Sequence, residues 1–275
     1  MSDGMPPMPQ PSTALVAQSG DIKVHSFVSP DMFLANATYV IEGPESVVVV
    51  DGQFVSPVAY GFRAFAESFG KPIARVYLTH DHVDHWFGLS SAFGDLPVYA
   101  LQETIDSIAT TGEELRAARA AVYGDFVPAA VVVPGNEAVA GATTVDGIEL
   151  QIIKVDDAEV EHQLMIGLPQ VNALIVGDLV YSGNHVYVTA DTSGWQRALA
   201  DLAASDWSVF LPGHGPAADA AELLANAEYL QRAGEIFAAS ADADAFKEAI
   251  LAAYPDRGGA ALVDIYGPRL YGQEG

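Results

Sequence analysis

The segment from Thr79 to His85 constrains this chain more than any other, because it reads Thr-His-Asp-His-Val-Asp-His. It directly follows the apolar run Val76-Tyr77-Leu78 and holds three of the chain's 7 histidines. Imidazole and carboxylate groups are common protein ligands of zinc and similar divalent ions. In an extended segment His80 and His82 point to the same side, so both can reach one ion. The carboxylate and imidazole at the end of the segment can serve a second ion, whereas a loop that only caps a helix needs no such set of histidines.

Three further polar motifs each follow an apolar run typical of a buried strand. They are Asp51 after Val47–Val50, Gly177-Asp178 after Ala173–Val176, and Pro212-Gly213-His214-Gly215 after Trp207–Leu211. With these motifs in this order, the chain from about Asp21 to about Gly215 resembles the metallo-β-lactamase fold family. Four ordered motifs are specific for a fold and a metal centre. They do not specify a substrate, because this fold hosts many hydrolases and some oxidoreductases.

The resemblance implies an α/β fold, namely a four-layer αββα sandwich of two mixed β-sheets flanked by helices. Strand and helix patterns alternate along the chain, and 50% of the residues are hydrophobic, which suffices for a sizeable core. We expect a single domain over residues 21–275 with a helical C-terminal part. Residues 1–20, which include the proline-rich stretch Met5–Pro11, are expected to form a flexible lead.

The family resemblance also implies a dinuclear metal centre. The expected ligands are His80, His82 and a residue of a third motif for one ion, Asp84, His85 and His214 for the other, and Asp178 for both. Asp51 is expected to fix a ligand histidine through a hydrogen bond rather than to bind metal itself.

The third motif is where this sequence departs from the family pattern. The family has a histidine after the strand that precedes the Asp178 strand. Counted back from the turn at Leu168-Pro169, its position here is occupied by Glu159, and His162 lies three residues further on. In one interpretation Glu159 is an oxygen ligand, as in the alkylsulfatase branch, and in another a shifted loop lets His162 coordinate. In a third, neither residue binds metal and His162 lies on the surface of a hairpin.

Two residues outside the ligand set are candidates for substrate binding. His185 follows the Asp178 strand by seven residues, which favours substrate binding or proton handling as much as the role of an ordinary loop histidine. Trp86 is one of several aromatic residues beside the motifs that can line a cleft and contact an apolar part of a substrate. No basic cluster adjoins the motifs in the sequence, which favours a neutral ester, lactone, lactam or alkyl sulfate over a phosphodiester.

The amino-acid composition limits the binding partners and the cellular compartment that we expect for this protein. Lys+Arg 12 against Asp+Glu 36 gives a formal net charge of −24, so the chain is expected to repel nucleic acid and anionic membranes. The absence of cysteine excludes disulfides and thiolate ligands. The first 20 residues contain neither Lys or Arg nor a long apolar run, so we expect no intact signal peptide. A cytoplasmic protein acting on a small molecule is expected, although a processed secreted or periplasmic form would also fit.

These observations predict a metal-dependent hydrolase with two divalent ions, zinc first and iron or manganese as alternatives. Two such ions share a water and lower its pKa from about 15.7 towards roughly 7. The metal-bound hydroxide then attacks an ester, lactone, lactam or related group, while Asp84 orients the nucleophile or takes its proton. The oxygen-reducing diiron members of the fold carry a glutamate at the position of His82. The histidine of this chain therefore favours zinc and hydrolysis. The alternatives are a mononuclear iron dioxygenase of the persulfide dioxygenase type and a non-catalytic member that binds a metal or ligand.

Overall fold

Two mixed β-sheets lie face to face in the computed structural model, which describes residues 9–273. The first sheet has seven strands that lie in sequence order. They are β1 (Ser12–Ser19), β2 (Ile22–Val28), β3 (Ala37–Glu42), β4 (Val47–Val50), β5 (Ile73–Tyr77), β6 (Val98–Ala100) and β7 (Asn136–Glu137). Neighbours from β1 to β4 are antiparallel, and neighbours from β4 to β7 are parallel.

The second sheet has five strands, which also lie side by side in sequence order. They are β8 (Gly141–Val145), β9 (Ile148–Asp156), β10 (His162–Leu168), β11 (Ala173–Tyr181) and β12 (Val209–His214). Only β11 and β12 are parallel, and the other neighbours form antiparallel hairpins.

Helices cover the outer face of each sheet. The first sheet packs against α1 (Ser56–Glu67), α2 (Val83–Trp86), α3 (Leu89–Ala92) and α4 (Gln102–Tyr123). The second packs against α5 (Ser193–Ala203), α6 (Ala220–Ala239), α7 (Ala243–Ala253) and α8 (Ala260–Leu270). Short 3-10 turns lie at Asp31–Phe33, Gly124–Phe126 and Pro169–Val171. Within residues 9–273, no helix is long and apolar enough to cross a membrane.

Three hydrophobic clusters separate the four layers, and β4 shows how the sequence builds them. Side chains of a strand alternate between its two faces. Val48 and Val50 therefore pack between the two sheets, while Val47 and Val49 pack against the helices outside the first sheet. The third cluster lies between β11 and the helices α5 to α8. This arrangement confirms the predicted four-layer αββα sandwich.

The N-terminal segment differs from the prediction. Residues 1–20 are expected to form a flexible lead, but Ser12–Ser19 form strand β1, which pairs antiparallel with β2 through a turn at Gly20, where φ is +56°. The strand lies at an edge of the sheet, and Val16 and Ala17 pack against the cluster between the sheets. Mostly polar and small residues on an exposed edge strand give a weak strand signal, so the sequence did not reveal it. The rest of the predicted lead, residues 1–8, lies outside the described residues.

The ends of the parallel strands place the polar motifs together. β4 and β5 are parallel in the first sheet, β11 and β12 in the second, and in each pair the carboxyl ends meet at one edge. Ligands of open α/β sheets bind at such edges. The Tyr39 hydroxyl of β3 donates to the carbonyl oxygen of Pro212 in β12 at 2.7 Å, which ties the two sheets together beside this edge.

Candidate metal centre

Two groups of histidine and acidic side chains converge at this edge of the sandwich. Within each group, one potential ligand atom per residue lies within 4.8 Å of all the others. The groups are His80, His82, Glu159 and Asp178, and Asp84, His85 and His214. Asp178 also adjoins the second group, because its Oδ1 lies 3.1 Å from Nε2 of His85 and its Oδ2 lies 3.3 Å from Nε2 of His214.

The spacing of these atoms fits zinc-like ions. Two ligand atoms bound tetrahedrally at roughly 2.0–2.1 Å from zinc lie about 3.3 Å apart. Here Oδ2 of Asp178 lies 3.5 Å from both Nε2 of His80 and Nδ1 of His82. In the second group, Nε2 of His214 lies 3.4 Å from Oδ2 of Asp84. The two groups therefore have the separations expected of ligands to divalent ions.

Buried atoms without hydrogen bonds support the same assignment. Nε2 of His80, both carboxylate oxygens of Glu159 and Oδ1 of Asp178 are buried with no hydrogen-bond partner among the described residues. Burying such polar atoms costs free energy unless something compensates for the lost hydration. A mixed nitrogen and oxygen donor set of this kind suits zinc, iron or manganese.

The ring nitrogens that face away from the centre are held by other groups. Nδ1 of His85 lies 2.9 Å from Oδ2 of Asp51, and Nδ1 of His214 lies 2.7 Å from the carbonyl oxygen of Leu34. Nδ1 of His80 lies 2.9 Å from the hydroxyl of its neighbour Thr79. These contacts fix each ring with Nε2 directed at the acidic side chains, as in other metal centres where outer groups orient the ligands.

Asp51 holds the ligand segment from two sides. Besides its contact with His85, Oδ1 accepts a hydrogen bond from the backbone N–H of Thr79 at 2.8 Å. Its backbone has φ of +66°, a left-handed conformation that is uncommon outside glycine but more accessible to Asp and Asn. Asp51 is 2% exposed and makes the hydrogen bond to a candidate ligand histidine that the sequence analysis expects.

The close acidic and basic groups shift one another's pKa values. Burial lowers the pKa of His82, but the carboxylates of Glu159 and Asp178 outweigh burial and raise it to about 9. Burial raises the pKa of Glu159 to about 8, although His82 acts in the opposite direction. Burial also lowers the pKa values of His85 and His214, but the carboxylate of Asp178 leads a net rise in both. Protons therefore compete with metal ions for this centre.

The structure brings Glu159, rather than His162, into the centre. Glu159 lies in the turn between β9 and β10 and is 4% exposed. His162 begins β10 opposite Asp156 of β9, and its Nδ1 lies 2.7 Å from Oδ1 of that residue. The hairpin register thus directs His162 to a half-exposed ion pair, and the shifted-loop interpretation is not the arrangement observed.

Trp86 and His185 do not occupy the positions expected of substrate-binding residues. Trp86 is 1% exposed, packs between the first sheet and its helices, and donates from Nε1 to the carbonyl oxygen of Asp81 at 2.9 Å. His185 is buried with Nδ1 at 2.9 Å from the hydroxyl of Tyr229, and its backbone N–H donates to the carbonyl oxygen of Gly258. Neither lines the cavity above the centre, so both predictions are corrected to structural positions.

Two residues at the centre escaped the sequence analysis. The hydroxyl of Tyr181 donates to Oδ2 of Asp178 at 2.8 Å, and its ring stacks on that of His214 with centroids 4.7 Å apart. Nδ2 of Asn36 lies 3.2 Å from Nε2 of His85. The position of Tyr181 three residues after Asp178, on the same strand, is the only signal that could have found it. Asn36 belongs to no motif.

A cavity of about 340 Å³ opens above the ligand groups. His82, Asp84, Asp178 and His214 line its inner end. Its walls are largely apolar or aromatic and include Phe54, Leu115, Tyr123, Tyr187, Leu262 and Ile265. Arg119 from α4 and Arg269 from α8 also line it, although both are distant from the motifs in sequence. The sequence has no basic cluster beside the motifs, but the fold brings these two arginines to the walls of the cavity above them.

Comparison with known proteins agrees with this geometry. The family model described as the metallo-beta-lactamase superfamily matches residues 32–214. This chain belongs to the metallo-beta-lactamase superfamily. The matched segment contains all seven members of the two ligand groups of this superfamily member. It ends before the helices α6 to α8.

Solved structures share the fold of this superfamily member at low sequence identity. A metallo-beta-lactamase from Pontibacter korlensis has a TM-score of 0.63 and 18% identity, covering 80% of this chain and 99% of that one. The metallo-beta-lactamase FIM-1 from Pseudomonas aeruginosa, in its mono-zinc form, has a TM-score of 0.61 and 16% identity, covering 83% and 98%.

A curated relative is similar over part of its length. It is the 2,4-dinitroanisole O-demethylase subunit alpha of Nocardioides sp. strain JS1661, with 25% identity over 182 residues. The match covers 64% of this chain and 52% of that protein, so it spans about half of the relative's length.

Proposed function

We propose that this protein is a metallohydrolase that uses two divalent ions, zinc first, to cleave an ester, lactone, lactam or related bond in a small molecule. The observation that carries the proposal is the position of Asp178, whose two carboxylate oxygens face ligand atoms of both groups. One carboxylate shared between two sets of ligands is the arrangement expected of a dinuclear centre. The cavity volume of about 340 Å³ suits a small-molecule substrate.

The residues divide into ligands, a proton-handling group and positioning groups. His80, His82 and Glu159 would hold one ion and Asp84, His85 and His214 the other, with Asp178 between them. Two bound divalent ions supply a water that is acidic enough to act as a nucleophile near neutral pH.

Asp84 is the proposed catalytic carboxylate. It reaches both the second ligand group and the cavity, so it can orient the nucleophile or accept its proton. Asp51 and Tyr181 keep His85 and Asp178 in place through hydrogen bonds.

A mononuclear iron dioxygenase needs only one set of ligands, so that function does not account for the second ligand group. Asp84, His85 and His214 lie close enough together to share an ion, which favours the dinuclear hydrolase over that alternative. A non-catalytic member could bind a ligand in the same cavity, so turnover on a substrate panel distinguishes the hydrolase from that alternative.

The curated relative suggests a second substrate class. Its name describes removal of the methyl group from 2,4-dinitroanisole, a nitroaromatic methyl ether. The cavity here has aromatic walls at Phe54, Tyr123 and Tyr187, which could accommodate an aromatic ring. An activated aryl methyl ether therefore belongs beside esters, lactones and lactams among the substrates to be tested.

Elemental analysis of the purified protein, followed by a substrate panel with the zinc-loaded form, tests the proposal. We expect two zinc-like ions per chain and hydrolysis of at least one ester, lactone, lactam or aryl ether. His82→Ala should lose one ion and the activity, while His162→Ala serves as the matched control and keeps both. One tightly bound iron without zinc would establish the dioxygenase alternative, and two zinc ions without turnover on the panel would contradict the hydrolase.

A further inference from the structure

The distribution of positive charge around the cavity is unusual for so acidic a chain. Most of the 12 Lys and Arg side chains form ion pairs with carboxylates. Within residues 9–273 the exceptions are Arg75, Arg119, Arg197 and Arg269. Arg119 and Arg269 both line the cavity above the ligand groups. In a protein with 36 acidic residues, two arginines without a carboxylate partner among the described residues thus line the same cavity.

Arg119 is the free member of the pair. It lies near the C-terminal end of α4, is partly buried, and has no hydrogen bond or ion pair within the described part of the chain. Arg116, one turn earlier on the same helix, binds Glu113 through both Nε and Nη2. A carboxylate on this helix therefore pairs with Arg116, whereas Arg119, which lines the cavity, has no carboxylate partner among the described residues.

Arg269 is oriented by an aromatic residue that also contacts the metal centre. Its Nη1 donates to the hydroxyl of Tyr187 at 2.7 Å. The ring of Tyr187 in turn lies 5.5 Å from the ring of His82, measured between centroids. Tyr187 therefore connects the arginine at the outer wall with a ligand histidine at the inner end of the cavity.

The helix that carries Arg269 is firmly attached at its start. The backbone N–H of Gly259 donates to Oδ1 of Asp31 at 2.8 Å, and that of His185 donates to the carbonyl oxygen of Gly258 at 2.8 Å. Arg257 donates to the carbonyl oxygen of Asn184 at 2.7 Å. The residues from Arg257 onward lie outside the segment that the family model matches, residues 32–214.

We propose that Arg119 and Arg269 form an anion-binding subsite, so that the preferred substrate carries an oxyanion such as a carboxylate on an aromatic or apolar body. The cleavable bond lies at the ligand groups, the body contacts walls such as Phe54 and Leu262, and the oxyanion accepts hydrogen bonds from the guanidinium groups. Without these arginines, the acidic chain would repel such a substrate. The inference rests on the proposed function for the cleavage step, but not for the binding step.

Matched substrates test the cleavage step. The zinc-loaded protein is assayed with 4-acetoxybenzoate and with 4-acetoxybenzamide, which carry a carboxylate and a neutral amide, respectively, opposite the ester. We expect kcat/KM to be at least about tenfold higher for the carboxylate. Arg119→Gln or Arg269→Gln should remove most of that preference, mainly through KM, as expected for a lost hydrogen bond to a charged group. Arg116→Gln, which removes the same charge one turn away, should preserve the preference.

Calorimetric binding separates failure of this inference from failure of the proposed function. 4-Hydroxybenzoate should bind the zinc-loaded protein more tightly than 4-hydroxybenzamide, even if no ester is cleaved. If Arg119→Gln and Arg269→Gln leave the carboxylate affinity unchanged, the anion binds at the metal ions and the subsite does not exist. Equal affinity of the unaltered protein for carboxylate and amide would overturn the inference in the same way.

Discussion

The hydroxyl of Tyr181 donates a hydrogen bond of 2.8 Å to Oδ2 of Asp178, the carboxylate that lies between the two ligand groups. The same tyrosine ring stacks on His214 at an interplanar angle of 3°. A single side chain beyond the ligands thus fixes the direction of one ligand carboxylate and supports the ring of a ligand histidine. Such outer contacts influence metal affinity because they hold the ligands in the geometry that the ions require.

Tyr181→Phe tests this contact while the stacked ring is kept. Loss of the hydroxyl leaves Asp178 free to rotate, so zinc affinity should fall by about tenfold to a hundredfold, with the folded structure retained. Competition with a chelating dye measures the affinity. Tyr77→Phe is the matched control, because within residues 9–273 the hydrogen bond of its hydroxyl is the one accepted from Arg75 at 3.2 Å, and Arg75 belongs to neither ligand group. Equal zinc affinity in the two variants would show that the tyrosine only packs.

Asp51→Asn should weaken both the metal centre and the fold. An asparagine can still adopt the left-handed backbone conformation at this position. Its side-chain NH2 group, however, cannot accept the hydrogen bonds that Oδ2 of Asp51 now accepts. We expect zinc affinity to fall by about tenfold to a hundredfold. The free energy of unfolding of the metal-free protein should fall by about 1–3 kcal/mol, as for other buried donors left without a partner.

Chelator competition and urea denaturation measure these two effects of Asp51→Asn. Asp95→Asn provides a control, because its carboxylate lies in an exposed ion pair with Arg63 that should contribute less than about 1 kcal/mol. An Asp51→Asn variant with unaltered zinc affinity would exclude a supporting role for this residue.

Glu159→Gln and His162→Ala form a second matched pair. Both oxygens of Glu159 are buried and face the first ligand group, whereas His162 pairs with Asp156 at the protein surface. Because a neutral amide oxygen is a weaker ligand than a carboxylate, Glu159→Gln should weaken one zinc site, and His162→Ala should keep both ions. A zinc titration monitored by elemental analysis distinguishes the outcomes. Full occupancy in both variants would mean that neither residue binds metal.

Zinc binding should release protons near pH 7. The carboxylates around His82 outweigh burial and raise its pKa to about 9, so the metal-free centre holds a proton there at pH 7, and a histidine ligand must lose it. Zinc affinity should therefore fall as the pH falls and become less dependent on pH above about 9. Calorimetry in two buffers with different ionisation enthalpies measures the number of protons released. Glu159→Gln should reduce this number, since Glu159 raises the pKa of His82 and, with its own pKa raised to about 8 by burial, can itself hold a proton in the metal-free centre. An absence of proton release at pH 7 would contradict the assignment.

The fold and most of the candidate ligands could be predicted from local patterns. The valine run of β4 and the apolar run before Asp178 both became central strands, because a strand buried on both faces needs such a sequence. The histidine-rich segment after β5 lies at the strand end, as predicted. The edge strand β1 was missed because exposed edge strands tolerate polar residues and leave little periodicity. The prediction that His185 and Trp86 bind substrate fails because nearness in sequence to a motif does not reveal which way a side chain points.

By itself, the sequence determined the family, the layered fold and most of the candidate ligands, because these depend on short segments in which apolar runs end in histidine or aspartate. Only the tertiary structure showed that Glu159, and not His162, lies beside the other candidate ligands, because the register of a hairpin sets which side chain turns inward. It also brought Tyr181 to Asp178, and the carbonyl oxygen of Leu34 to His214, 180 residues away. The two cavity arginines come from α4 and α8, far apart in the chain, and no local pattern encodes their meeting. Contacts of this kind arise from packing between layers, which a linear motif does not record.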